Sequence, residues 1–147
     1  MELRKAQKED IPKILDFIRG IAEYEKLSHE VKANEALLND WLFNKRIAEV
    51  VFAEEEGIET GFVLFFYNFS TFMGKAGLYI EDLYVKPEYR GKGYGKALIN
   101  YVIQRARKEG LGRVEWTCLD WNEPAREFYK SLGAVPMNDW TNFRFVI

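Results

Sequence analysis

Arg90-Gly91-Lys92-Gly93-Tyr94-Gly95-Lys96 is the stretch that decides how this chain of 147 residues is read. An apolar run, Leu78 to Val85, and a loop, Lys86-Pro87-Glu88-Tyr89, come before it. A helical pattern comes after it, with Ala97, Leu98, Tyr101, Val102, Arg105 and Ala106 along one face. Strand, glycine-rich turn and helix in that order make an anion site. The glycines let a ligand approach the main chain, and the first helical turn carries unpaired N–H groups and a partial positive charge. A diphosphate suits such a site. The nucleotide motif G-x-x-x-x-G-K-[ST] does not fit, because Arg90 stands where its first glycine belongs and Ala97 follows Lys96. G-x-G-x-x-G fails as well, since counting from Gly91 reaches Lys96 and counting from Gly93 reaches Leu98. What fits is R-x-x-G-x-G at Arg90, Gly93 and Gly95.

Towards the C-terminus, Gly110 ends the helix, with Arg105, Arg107 and Lys108 as its solvated basic end. Arg113 to Leu119 reads as a strand, Glu123 to Ser131 as a short helix closed by Gly133, and Phe143 to Ile147 has strand character. Towards the N-terminus, Glu49 to Ala53 and Gly61 to Tyr67 are strands joined by a turn at Glu54-Glu55-Glu56-Gly57. Leu37, Leu38, Trp41 and Leu42 mark one helix; Ile11, Ile14, Leu15, Ile18 and Ala22 mark another, capped by Asp10. Met1 to Ala6 begins the chain as a strand. The order βααβββαβαβ predicts an α/β domain with a mixed sheet and helices on both faces. No repeat or linker divides it, so one domain over 1–147 is expected.

Composition narrows the function. With 48% hydrophobic and 30% charged residues the chain can bury a core, and its net charge of −2 disfavours nucleic acid as a partner. No apolar stretch approaches membrane-spanning length, and Met1 to Lys5 lacks a signal-peptide run. One cysteine, Cys118, suits a reducing compartment, so a cytoplasmic location is expected. Cys118 reads as a buried strand cysteine. His29 is the sole histidine, so no metal site is expected.

The R-x-x-G-x-G loop resembles that of the GNAT superfamily of N-acetyltransferases. Leu78-Tyr79-Ile80-Glu81-Asp82-Leu83-Tyr84-Val85 with Glu88-Tyr89-Arg90-Gly91, and Asp120-Trp121-Asn122-Glu123-Pro124 with Phe128-Tyr129-Lys130 and Gly133, are similar to the diamine (spermidine/spermine) and thialysine N-acetyltransferase branch. Phe69-Ser70-Thr71-Phe72-Met73-Gly74 stands where spermidine-type members carry Asp-Pro-Trp, and its pattern is closer to the thialysine type. The resemblance implies a mostly antiparallel sheet splayed where acetyl-CoA inserts. It implies that Leu83, Tyr84 and Val85 hold the pantetheine arm, that Arg90, Gly91, Lys92, Gly93, Tyr94, Gly95 and Lys96 hold the diphosphate, and that Asn122, Pro124 and Ala125 flank the pantetheine. It also implies a homodimer and a small amine substrate reached by Tyr24, Glu25, Glu81 and Asp82, with Trp116 and Asp120 as lesser contacts.

Acetyl transfer to an amine needs a proton acceptor, an oxyanion donor and support for the departing thiolate. Glu81, a carboxylate in an otherwise apolar strand, is costly there without a partner or a task. It reads either as the proton acceptor or as one half of an ion pair with Arg90 or Lys75. Tyr129 matches the family tyrosine that serves the thiolate, and a backbone N–H near Leu83, where the family strand bulges, serves the oxyanion. Two other readings stand beside this one: a protein lysine or N-terminal acetyltransferase, and a non-catalytic acyl-CoA-binding module.

Overall fold

The computed structural model describes residues 1–147. They divide into two compact units, Met1–Trp116 and Thr117–Ile147. The first holds five strands, β1 (Glu2–Lys5), β2 (Glu49–Glu55), β3 (Ile58–Ser70), β4 (Lys75–Val85) and β5 (Val114–Trp116). It also holds the helices α1 (Ile11–Tyr24), α2 (Glu35–Leu38) and α3 (Tyr94–Lys108). The sheet runs in chain order, antiparallel from β1 through β4, with β5 parallel to β4. Only that last connection is a crossover, and α3 supplies it. The expected mixed, mostly antiparallel sheet is therefore present.

Alternation sorts the core into two layers. Val50, Phe52, Phe62 and Leu64 face α1, where Ile14 and Phe17 meet them. The Phe17 ring lies 5.0 Å from that of Phe62 and 5.8 Å from that of Phe52. The residues between them, Val51, Val63 and Phe65, point the other way, towards α3 and its buried Leu98, Ile99 and Val102. β2 and β3 are thus apolar on both faces because a helix covers each face. Burying a side chain such as Phe52 contributes about 1.5–3 kcal/mol.

Three expectations about local structure change. Asp10 occupies the N-cap position of α1, but its carboxylate makes no cap bond there. It accepts instead from the Gln7 N–H at 2.7 Å and from Arg4 at 2.7 and 2.9 Å. Arg4 also binds Glu54 and reaches Glu59 at 2.9 Å, so one guanidinium gathers three carboxylates from distant parts of the chain. The second helix is not uniform. Asn34 caps α2 by accepting the Leu37 N–H at 2.8 Å, and the coil then widens into a π-turn over Asn39–Asn44. Arg105 is no solvated end: it grips Glu49 through two bonds of 2.9 Å and lies over the Phe65 ring.

The second unit contains α4 (Glu123–Ser131), which ends with Gly133 at φ 91°. The strand expected to run from Arg113 to Leu119 stops at Trp116, so Cys118 lies outside any strand and is half-buried. The tail is also corrected: residues 141–147 form no strand, and Phe143 and Phe145 are about nine-tenths exposed (91% and 89%). Apolar character alone does not make a strand; a ladder partner does, and this tail pairs with none.

Candidate functional site

β4 and β5 pair over three positions only, Leu78 with Val114, Tyr79 with Glu115 and Ile80 with Trp116. β4 then continues to Val85 paired with β3 but not with β5, leaving the sheet open on that side along Glu81–Val85. The Lys86 N–H bonds Thr60 O on the β3 side at 2.8 Å. Alternation therefore turns Tyr84 and Asp82 towards β3, and the main-chain groups of Leu83 and Val85 towards the open edge.

The same strand bulges. Leu64 pairs with Asp82 and Phe65 with Ile80, so Glu81 is the extra residue opposite β3. The irregularity thus falls two residues before Leu83, where it was expected. It also revises the argument about Glu81, which is exposed and so bears little burial cost. The constrained carboxylate is Asp82, on the α1 face and half-buried. Burial pushes its pKa up to about 7, and the neighbouring charges of Glu81 and Glu25 act in the same direction. Glu25, at the C-terminal end of α1, is itself raised by burial. Two half-buried carboxylates, Asp82 and Glu25, with the exposed Glu81 beside them suit a cation, and an ammonium in particular. No cluster of His, Cys, Asp and Glu has the arrangement of a metal site.

Beyond Val85 the charge reverses. Gly91 and Gly93 have φ of 77° and 90°, the left-handed conformation that glycine adopts without strain, and Gly93 is the N-cap of α3. The cap has no side-chain bond, and no acid lies in the first turn, so the N–H groups of Tyr94, Gly95 and Lys96 lead into an open, basic mouth. Tyr94 is buried and meets Tyr89 edge-on at 6.0 Å, which fixes the start of the helix. Lys92 lies over Tyr89 at 5.5 Å. Arg90 turns back from the loop: its Nε donates to Val85 O at 2.9 Å, and its guanidinium lies 4.9 Å from the Tyr24 ring centre and 5.3 Å from that of Tyr84. These residues fit an acyl-pantetheine diphosphate, with main-chain groups for an amide arm and a basic helix N-terminus for the phosphates.

In the second unit, Asn122 is the N-cap of α4 and accepts the Ala125 N–H at 3.4 Å. Pro124 sits in the first turn of the helix. Tyr129 lies one residue after Phe128, ring centres 5.5 Å apart. Asp120 is fully exposed, with Arg126 3.8 Å away. Trp116 belongs to β5 and is half-buried, whereas His29 is exposed and faces Glu30.

Sequence reading overlooked Phe17 and Gly20 as the walls that hold Tyr84. The rings of Phe17 and Tyr84 meet edge-on at 6.2 Å. It also missed that Asp82 is the perturbed acid. One signal was there: two consecutive acids break the alternation of an apolar strand, as a bulge does.

Comparison with known proteins agrees with this geometry. Residues 12–134 match the model of the acetyltransferase (GNAT) family. The chain is 39% identical to the thialysine N-epsilon-acetyltransferase of Bos taurus, over 97% of this chain and 91% of the relative. It is 32% identical to an L-ornithine N5-acetyltransferase of Arabidopsis thaliana, over 94% and 81%. Among solved structures, an integron cassette protein of V. cholerae superposes with a TM-score of 0.82 at 25% identity, covering 99% of this chain and 91% of that one. The splayed β4 edge, the basic glycine loop at the start of α3 and the match across most of the chain establish that this protein belongs to the GNAT acetyltransferase family and is an N-acetyltransferase.

Proposed function

We propose that this enzyme moves the acetyl group of acetyl-CoA to the primary amine of a small cationic substrate, such as thialysine, a lysine-like amino acid or a diamine, by direct transfer in a ternary complex. The observation that carries the reading is Asp82. It is a carboxylate poised near neutrality beside Glu25 and Glu81, on the strand whose open edge runs towards a basic diphosphate loop. The relatives named for thialysine and ornithine point to the same class of amine.

Glu25 and Glu81 attract the ammonium. Asp82, with a pKa of about 7, takes its proton at Oδ, directly or through water. Glu81, the extra residue of the strand bulge, has the outer, exposed part in capture. Acetyl-CoA supplies the acyl group as a thioester. The freed amine forms the C–N bond as the C–S bond breaks, and the main-chain N–H groups of Leu83 and Val85 at the open edge are the donors available to a developing oxyanion. Tyr129 is assigned protonation of the thiolate on resemblance, and the second proton, shed by the nitrogen as the amide forms, replaces the one the phenol gives up. The cytoplasmic location, the homodimer and a single domain over 1–147 are parts of the same proposal, the family match spanning both units in its favour.

The test is thiol release from acetyl-CoA with thialysine, lysine, ornithine, spermidine, putrescine and a lysine peptide. Turnover of one or more small amines, with none of the peptide, supports the reading. Turnover of the peptide alone defeats it, and coenzyme binding without any turnover identifies a non-catalytic binding module.

A further inference from the structure

We infer that Arg90 is a positioning residue for the amine substrate, because it braces the C-terminal end of α1 against the end of β4. The inference rests on the function proposed above and deepens it. Arg90 opens the diphosphate loop, yet its side chain is directed away from the loop. Nε holds the Val85 carbonyl at 2.9 Å, and the guanidinium is shared between Tyr84 of β4 at 5.3 Å and Tyr24 of α1 at 4.9 Å. Tyr84 makes a firm platform. Gly20 of α1 lies so close that a Cβ there would stand 3.2 Å from the Tyr84 hydroxyl, and Phe17 meets the same ring edge-on.

The part being braced needs support. After Tyr24 the helix ends with Lys26 at φ 60°, an uncommon conformation for a residue with a side chain, and Tyr24 and Leu27 are 39% and 40% exposed. Glu25, the next residue after Tyr24, is the α1 carboxylate whose charge acts on Asp82. One planar cation therefore joins the diphosphate loop, the open β4 edge and the acid that faces the amine. Ordering of the loop by a diphosphate is transmitted through Arg90 to Tyr24 and Glu25, so occupancy of one substrate site favours the other, and the coupling is reciprocal. Lysine cannot substitute, lacking both the Nε–H at this position and a plane to stack.

The experiment measures KM for each substrate in Arg90→Ala, Arg90→Lys, Tyr24→Leu and the double variant Arg90→Ala/Tyr24→Leu, with thermal melting to confirm folding. Arg90→Ala is expected to raise the amine KM about tenfold, as fits the loss of two ring contacts at the protein surface. Arg90→Lys should not restore it, and the double variant should be no worse than the worse single variant, because one contact is removed twice. Amide exchange without ligand supplies a readout independent of turnover: residues 18–27 should exchange faster in Arg90→Ala, and α3 should be unchanged. An effect on the acetyl-CoA KM alone, additive losses, or unaltered exchange at residues 18–27 overturns the inference. If the wild-type protein acetylates no amine, the proposed function fails, and the exchange comparison still decides whether Arg90 is the brace.

Discussion

Glu25 at the end of α1 and Asp82 on β4 share one electrostatic environment: burial, reinforced by the charges of Glu81 and then Glu25, holds Asp82 protonated up to about pH 7. A helix terminus thereby adds to the proton affinity that burial gives a strand carboxylate. In the proposed mechanism the enzyme is competent only when Asp82 is ionised. kcat/KM for an amine should therefore rise on an acid limb centred near pH 7, the limb that reports the free enzyme. Glu25→Gln removes one repulsive charge and should move that limb to lower pH. A limb that stays in place, measured at saturating acetyl-CoA, would separate Glu25 from Asp82.

Stability should show the same group with the opposite sense. The folded pKa of Asp82, about 7, lies above its ordinary 3.8, so its charge costs stability. That cost is absent below pH 3.8, grows as pH rises and is complete above about pH 7. Asp82→Asn should therefore stabilise the protein at pH 8 by about 1–3 kcal/mol, a figure discounted for partial solvent access, and have little effect at pH 3.5. Equal melting shifts at both pH values would contradict this.

Arg4 should matter far from the site. It binds Asp10, Glu54 and Glu59, and Asp10 and Glu59 are buried. Arg4→Met leaves these carboxylates short of their partner and should cost about 2–4 kcal/mol by denaturant titration, while the amine KM of the folded fraction is unchanged. Lys13, also bound to Glu59 at 2.5 Å, supplies only part of the compensation.

The local motifs were legible in the sequence, and the long-range pairings were not. Gly91 and Gly93 declare themselves because their left-handed backbone is a property of residue type. The α1 and α3 patterns are local in the same way, since an apolar stripe recurs within each helix. Asp10 was misread as a side-chain cap because its true partner, Arg4, is one of a set completed by Glu54 and Glu59 from another part of the sheet. Glu81 was read as buried because its run is apolar; the β3–β4 register, a tertiary fact, turns it out and places Asp82 inward. Phe143 to Ile147 looked like a strand for the same reason, since composition reports tendency and not pairing.

Tyr129 has a separate kinetic signature. If its hydroxyl serves the departing thiolate, Tyr129→Phe lowers kcat by about 10- to 100-fold and leaves coenzyme A affinity essentially intact, because the loss falls on the transition state alone. Full turnover in the variant would remove Tyr129 from the reaction.

Calorimetric titration of coenzyme A into the wild-type protein and into Gly93→Val tests the identification of the ligand site most directly. The wild type should give a clear heat of association. The variant, with a β-branched residue at φ 90° in the mouth of α3, should bind at least about tenfold more weakly while melting as a folded protein. No heat with the wild type, or equal affinity in the variant, would contradict a diphosphate held at the start of α3.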